Sequence, residues 1–123
     1  MAWEIELTDE VRDWYWSLDT DATAVEQAIA MLEERGPALG RPLVGEIDTT
    51  RERRKGRIHN LKELIPTKGI RILFVFDPRR TAIMLVAGDK AGQWKAWYWT
   101  AVPLAERRYA EYLAELRQEE ELG

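Results

Sequence analysis

Two apolar runs, Ile70-Arg-Ile-Leu-Phe-Val-Phe-Asp77 and Thr81-Ala-Ile-Met-Leu-Val-Ala87, enclose the short segment Pro78-Arg79-Arg80. Both runs are rich in β-branched and aromatic residues, which favour strands. Proline presets φ for the second position of a type I turn, and the Asp77 side chain can bond to the turn backbone. The stretch therefore predicts a β-hairpin. Because both runs are almost wholly apolar, we expect helices to cover the hairpin on at least one side.

A single charge, Arg71, interrupts the first run at its second position. Burying a guanidinium without a partner is costly, so this side chain must pair, lie at the strand end or face a concave surface. One interpretation is a structural arginine paired with Glu63 or Asp89. The other is an arginine that binds an anion such as phosphate. The sequence leaves both open.

Length and composition predict one domain, residues 1–123, with a single hydrophobic core. No apolar run approaches the ~20 residues of a membrane span, and no signal peptide is evident at the N-terminus, so the expected location is the cytoplasm. One histidine and no cysteine argue against a transition-metal site and exclude thiolate chemistry. We expect neither a metal nor another cofactor.

Charge is distributed unevenly along the chain. The net charge is −9 for residues 1–50, +7 for residues 51–80 and −2 for residues 81–123, which gives −4 for the chain. Local potential rather than net charge attracts phosphates, so the basic middle segment is compatible with nucleic-acid binding. The alternative is that the basic run Arg51-Glu-Arg-Arg-Lys-Gly-Arg57 is a solvated loop without a ligand.

Hydrophobic periodicity and turn residues predict an α+β domain in the order β-α-α-β-β-β-α. Its small, mainly antiparallel sheet would carry an N-terminal helical hairpin and a C-terminal helix. The predicted elements are a strand at 3–7, a helix capped by Thr8 or Asp9, a helix that ends at Gly36-Pro37, a loop at 38–45, a strand at 58–65, a turn at 66–69, the hairpin, and a C-terminal helix in two pieces divided at Pro103.

Several separated blocks of this sequence resemble, in the same order, the phage-related toxins of the RelE/HigB group. The blocks are Asn60-Leu-Lys-Glu-Leu64, Arg71-Ile-Leu-Phe74, Phe76-Asp-Pro-Arg-Arg80, Gly88-Asp-Lys90 and Trp94-Lys-Ala-Trp-Tyr98. The resemblance implies a RelE-like fold, which agrees with the predicted order of elements. It also implies a toxin of a type II toxin–antitoxin pair that cuts messenger RNA on the ribosome. The implied partners are a HigA-like helix-turn-helix antitoxin, the ribosome and mRNA.

The resemblance also implies candidate site residues for an endoribonuclease that works without a metal. Cleavage by a 2′-hydroxyl needs a base, an acid and stabilisation of the developing phosphate charge. Arg71 matches the arginine expected to hold the scissile phosphate, and His59 is the only side chain that titrates near neutrality. The candidate catalytic residues are Arg71, Lys62, Lys90, Tyr98 and His59. The candidate RNA-binding residues are Arg57, Lys68, Arg79 and Arg80.

One position departs from the family pattern. Relatives commonly place an arginine after the Lys-Glu-Leu block, where this chain has Ile65. If that arginine contributes charge, Lys68 or Arg57 would have to replace it, or activity would be low. This departure motivates an alternative function, either a ParE-like binding module that acts on a protein target or a degenerate toxin that only binds its antitoxin.

Overall fold

The computed structural model describes residues 2–47, 60–89 and 94–122. The helices and strands are β1 (Glu4–Leu7), α1 (Asp9–Trp16), α2 (Ala22–Arg35), a 3-10 turn (Gly36–Ala38), β2 (Val44–Glu46), β3 (Lys62–Thr67), β4 (Ile70–Asp77), β5 (Thr81–Asp89) and α3 (Trp94–Leu122). The predicted α+β class, helical hairpin and C-terminal helix are therefore confirmed. No helix in the described part of the chain is both long and apolar enough to cross a membrane.

The strands form one sheet in the order β1-β5-β4-β3-β2. The first strand pairs with β5 in parallel, and all other neighbours are antiparallel, so the prediction of a mainly antiparallel sheet is confirmed. The central strands, β4 and β5, are covered on both faces. On β4, Ile72 and Phe74 pack against the α1–α2 hairpin, whereas Leu73 and Val75 pack against α3.

The β4–β5 turn has the predicted hairpin geometry. Asp77 is opposite Thr81, so three residues form the loop, and the backbone N–H of Arg80 donates to the carbonyl of Asp77 at 3.0 Å. Arg80 has a positive φ of 64°. A last loop residue in the left-handed region is typical of three-residue hairpin loops. The Arg80 guanidinium lies over the Trp3 ring, 4.8 Å from its centroid.

The structure corrects two predictions before the hairpin. The segment predicted as a loop at 38–45 contains the start of β2, a three-residue edge strand too short to show periodicity. The strand predicted at 58–65 is β3, which begins at Lys62 within the described residues and continues through Pro66 to Thr67. Pro66 was predicted in a turn, but it lies where the β3–β4 register shifts, and such an irregularity tolerates a proline.

The C-terminal helix corrects a third prediction, because α3 is continuous through Pro103. Proline removes one helical hydrogen bond and usually breaks or kinks a helix. Here Ala101, Val102 and Ala105 are buried against the sheet, whereas Pro103 itself is exposed. Burial on both sides of the proline therefore outweighs its local cost and keeps the two pieces in one helix.

A buried carboxylate anchors the hairpin turn. Asp77 is 4% exposed and accepts from the Arg79 backbone N–H at 2.9 Å, which confirms the predicted bond to the turn. The Arg79 guanidinium contacts both Asp77 oxygens, at 3.2 and 3.0 Å, and Nη2 lies 3.4 Å from the Tyr112 hydroxyl of α3. The side-chain bond from Arg79 lowers the pKa of Asp77, although burial opposes the shift. The charge pair therefore joins the turn to α3.

We predict that Asp77→Asn lowers the free energy of unfolding at neutral pH by about 1–2 kcal/mol, because a charge-assisted bond becomes a neutral one. The folded-state pKa of Asp77 is depressed, so its stabilisation is present above the ordinary value of 3.8 and is lost as pH falls through the folded pKa. Urea unfolding of both proteins between neutral pH and about pH 2 checks this. The gap should narrow in acid, whereas Asp19→Asn, at an exposed residue, should change little. A gap independent of pH would contradict the charge assignment.

Candidate functional site

The candidate site forms around Arg71 on the α3 face of the sheet. Arg71 shares this face with Leu73 and Val75, because alternate residues of a strand point the same way. It is opposite Gly88 of β5 and diagonal to Glu63 of β3. The Arg71 and Glu63 side chains are each only 13% exposed. The strand-end charge is therefore largely withdrawn from solvent.

The chain itself fixes the Arg71 guanidinium. Its Nε donates to Oε1 of Glu63 at 2.8 Å, which confirms the predicted pairing of Arg71 with Glu63. Its Nη1 group contacts three backbone carbonyl oxygens at the β3–β4 turn: Thr67 at 3.0 Å, Lys68 at 3.2 Å and Ile70 at 2.9 Å. The planar guanidinium is thus held in one orientation, with its charge balanced by a carboxylate.

Tyr98 brings α3 into the same cluster. Its hydroxyl donates to Glu63 Oε1 at 2.8 Å, so one carboxylate oxygen accepts from both the tyrosine and Arg71. Burial raises the pKa of Tyr98 well above its ordinary value, and the bond to Glu63 raises it further. Tyr98 is therefore a neutral hydrogen-bonding hydroxyl at physiological pH, unsuited to act as a base.

A glycine makes room for the indole beside this cluster. A Cβ on Gly88 would lie 2.8 Å from Nε1 of Trp97, closer than side chains pack. Trp97 can therefore rest on the β5 backbone opposite Arg71, and its ring centroid lies 5.1 Å from that of Tyr98 in an edge-to-face arrangement. Trp97 is partly buried and packs against the core cluster on the α3 face of the sheet.

A hollow of about 560 Å³ adjoins the arginine on the side of the β3–β4 turn. Most of its wall is apolar, and its basic side chains come from the turn and the start of β4. The lining residues are Pro42, Leu43, Ile65, Pro66, Thr67, Lys68 and Arg71. Of the predicted site residues, the structure thus brings Arg71, Tyr98 and Lys68 into one region.

The structure places Lys62 elsewhere. Lys62 is opposite Phe74 and alternates with Glu63, so it belongs to the face that packs against the helical hairpin. Its Nζ lies 3.4 Å from Oε1 of Glu46 on β2. The predicted catalytic residues Lys62 and Arg71 therefore lie on opposite faces of the sheet and do not form one basic patch. Arg57, Lys90 and His59 lie outside the described residues.

Two predicted RNA-binding residues lie at the far end of β4. Arg79 holds Asp77, which lies six residues along the strand from Arg71 or roughly 20 Å at the usual rise. Arg80 follows in the turn and lies over Trp3. The structure does not bring them to the Arg71 cluster. Their RNA-binding role stays a prediction.

Glu63 is the member of the cluster that sequence reasoning did not include in the site. It was considered only as a structural partner of Arg71, yet it also receives the Tyr98 hydroxyl. The available signal was its diagonal position from Arg71 across the strand pair. Over residues 2–47, 60–89 and 94–122, no three acidic or histidine side chains are grouped so that they could hold a metal ion.

Comparison with known proteins places this site in a family. The family model described as phage derived protein Gp49-like matches residues 13–110. A curated relative, putative toxin HigB3 of Mycobacterium tuberculosis, is 46% identical over 110 residues, which cover 88% of this chain and 91% of the relative. The chain belongs to the Gp49-like family of RelE/HigB-type toxins. The family resemblance found in the sequence is confirmed, and membership implies an antitoxin partner.

The chain is also similar to a second curated protein and to one solved structure. Putative toxin HigB2 of the same organism is 42% identical over 120 residues. That match covers 94% of this chain but only 56% of HigB2, so the chain spans little more than half of that relative. Among solved structures, a double mutant of E. coli toxin RelE in the free state aligns with 83% of this chain and 95% of its own, at a TM-score of 0.48 and 11% identity.

We predict that Glu63→Gln and Tyr98→Phe are energetically coupled, because the first replaces the charged acceptor of one hydrogen bond by a neutral one and the second removes the donor of the same bond. Each single variant should lower the free energy of unfolding by about 1–2 kcal/mol, and the double variant should lose about 1 kcal/mol less than the sum. Urea unfolding of the four proteins measures the coupling. Glu46→Gln, at an exposed glutamate, is the matched control and should be additive with Tyr98→Phe. Additivity in the Glu63 cycle would contradict the shared bond.

Proposed function

We propose that this chain is the toxin of a type II toxin–antitoxin system and that it inhibits translation by cutting mRNA on the ribosome. Family membership supports the toxin assignment. The observation that carries the endonuclease assignment is the cluster in which Glu63 orients both a buried guanidinium and a neutral tyrosine hydroxyl. The proposed enzyme is a metal-independent endoribonuclease that acts in the cytoplasm.

In the proposed reaction, a 2′-hydroxyl attacks the adjacent phosphate, and negative charge develops on the phosphate oxygens. Arg71 is the candidate cation for this charge. Because the Thr67, Lys68 and Ile70 carbonyls already fix its orientation, little reorganisation is needed as the charge develops. Lys68 is exposed on the same turn and adds positive potential where the RNA backbone would approach.

Tyr98 acts in this proposal as a positioning group, because its hydroxyl donates to Glu63 and so holds that carboxylate beside Arg71. Its raised pKa keeps the hydroxyl protonated at neutral pH, so another group must accept the 2′-hydroxyl proton. His59 and Lys90 remain the candidates for that base. The catalytic role of Lys62 also stays a prediction, and its position on the face of the sheet opposite Arg71 does not support it.

A HigA-like helix-turn-helix antitoxin is the proposed partner that restrains this activity. Acidic side chains of such a partner would be attracted to Lys68 and the basic segment around it, where they would compete with RNA. The ribosome and its mRNA are the proposed targets. The chain's own Glu63 already shows how a carboxylate satisfies the Arg71 guanidinium.

The Arg71–Glu63 ion pair also favours a second candidate function. A guanidinium that is balanced by a carboxylate and bound to three carbonyls has the contacts of a structural arginine. In that case the chain would be a ParE-like module that acts on a protein target, or a degenerate toxin that only binds its antitoxin. The presence of Ile65 at a position where relatives commonly have arginine agrees with this alternative.

We predict that the wild-type chain cuts mRNA in a ribosome-containing extract. Arg71→Ala should reduce the cleavage rate by about 10²–10³-fold, because it removes a group that stabilises the charge of the transition state. Primer extension on the mRNA maps the cuts, and thermal unfolding checks that each variant is folded. Arg71→Lys keeps the charge but loses the planar fork, so it should recover only part of the rate. Arg107→Ala, at an exposed arginine of α3, is the matched control and should be fully active.

Cuts that persist in folded Arg71→Ala would move the catalytic site elsewhere on the chain. Absence of cuts by folded wild type would contradict the endonuclease. Expression in a bacterium then separates the alternatives: a DNA-damage response without translation arrest indicates a ParE-like target, and no growth effect indicates a degenerate toxin.

A further inference from the structure

The hollow beside Arg71 has features that the proposed cleavage step does not use. It is lined by Pro42 and Leu43, in the segment before β2, and by Ile65 and Pro66 of β3. The two segments lie side by side, because the backbone N–H of Ile65 donates to the carbonyl of Leu43 at 2.7 Å. The hollow is therefore a fixed part of the sheet edge.

Its apolar surface is partly open to solvent. Pro42 is exposed, and Leu43, Ile65 and Pro66 are half-buried, although each presents hydrocarbon to the same space. The hollow has a volume of about 560 Å³ and is open to solvent on one side. An occupant with a flat apolar face would remove this hydrocarbon from water.

The basic side chains at the hollow indicate which charge an occupant would carry. Among the residues that the structure describes, its lining includes two basic residues, Lys68 and Arg71, and no acidic residue. Lys68 is exposed at the turn, where Thr67 orders the backbone by accepting from the N–H of Gly69 at 3.2 Å. An apolar wall with a cationic rim matches a molecule that combines a flat ring with a phosphate.

We propose that this hollow is a nucleobase subsite, which takes the base of a ribonucleotide whose phosphate meets Lys68 and Arg71. The RNA class of the ligand rests on the proposed function, and the subsite deepens it. The base lies against the hydrocarbon of Ile65, Pro66, Pro42 and Leu43. Ile65 is then a substrate-binding residue in its own right.

The lining gives this subsite little means to distinguish one base from another. The N–H of Ile65 and the carbonyl of Leu43 satisfy each other, and the two prolines have no N–H to donate. The Thr67 hydroxyl is engaged by Gly69, and the Thr67 carbonyl by Arg71. Apolar contact to a base face is tolerant of sequence, because every base has such a face. The subsite therefore adds affinity with weak base preference.

A titration of the purified full chain tests the subsite without ribosomes. Methyl and amide NMR signals are followed while AMP, CMP, GMP, UMP or ribose 5-phosphate is added. Ribose 5-phosphate carries the same sugar and phosphate but no ring. We expect all four nucleotides to bind about 5- to 10-fold more tightly than ribose 5-phosphate, and the ring current of the base to shift the Ile65 methyl signals.

Three variants separate the base contact from the phosphate contact. Ile65→Ala should remove most of the advantage of nucleotides and leave ribose 5-phosphate binding unchanged. Lys68→Ala should weaken all ligands by a similar factor. Leu122→Ala, at an exposed leucine far along α3, should change neither. The amide spectrum of each variant shows whether its fold is retained.

Equal affinity for nucleotides and ribose 5-phosphate would overturn the subsite. It would also be overturned if the Ile65 methyl signal did not move with nucleotides but moved in a separate titration with the antitoxin. These outcomes are independent of the cleavage assay. Ribosome-dependent cuts without a base advantage would leave the endonuclease intact and remove only the subsite. A base advantage without cuts would keep the subsite and remove the endonuclease.

Discussion

Burial of β4 and β5 on both faces is the constraint on which the rest of this structure depends. Helices cover the sheet on each side, so no side chain in the middle of these strands reaches water. A charge placed there would lose its hydration without compensation. Charged residues on β4 are accordingly found near its two ends, at Arg71 and Asp77, and each has an oppositely charged partner within hydrogen-bonding distance.

The two ion pairs at the ends of β4 both compensate a buried charge, but they connect different parts of the structure. At Asp77, the carboxylate is buried and its arginine partner is half exposed, so the pair closes a turn and reaches Tyr112 of α3. At Arg71, both partners are largely buried, and a second tyrosine of α3 shares the carboxylate. The helix is therefore attached to both ends of the strand through a tyrosine and a charge pair. This attachment of α3 across the sheet keeps the side chains of the candidate site in position.

Local signals in the sequence determine the parts of the fold that were predicted correctly. Proline and aspartate at the hairpin, the threonine cap of α1 and the glycine after α2 act within a few residues, so they are readable without the tertiary structure. The corrected parts depend on distant contacts. Pro66 lies in a strand because β2 and β4 flank it, and Pro103 lies in a helix because its neighbours are buried on the sheet.

The candidate site was also predictable only in part, where a local signal marked the residue. Arg71 is evident as the one charge in an apolar run, and Tyr98 follows from the family resemblance. The face of the sheet that each residue occupies depends on register, which local sequence does not define. For that reason Lys62 was grouped with Arg71, although strand alternation turns it to the other face, and Glu63 was considered only as a structural partner.

The parallel pairing of β1 with β5 has a consequence for the synthesis of the chain. The first strand, Glu4–Leu7, is paired with residues 81–84 of β5, so the chain must be made as far as Met84 before that partner is complete. Until then the N-terminal strand is an unpaired edge, and the long loop that joins the two carries an entropic cost. A nascent chain therefore completes its sheet only when the whole of β5 is free to fold.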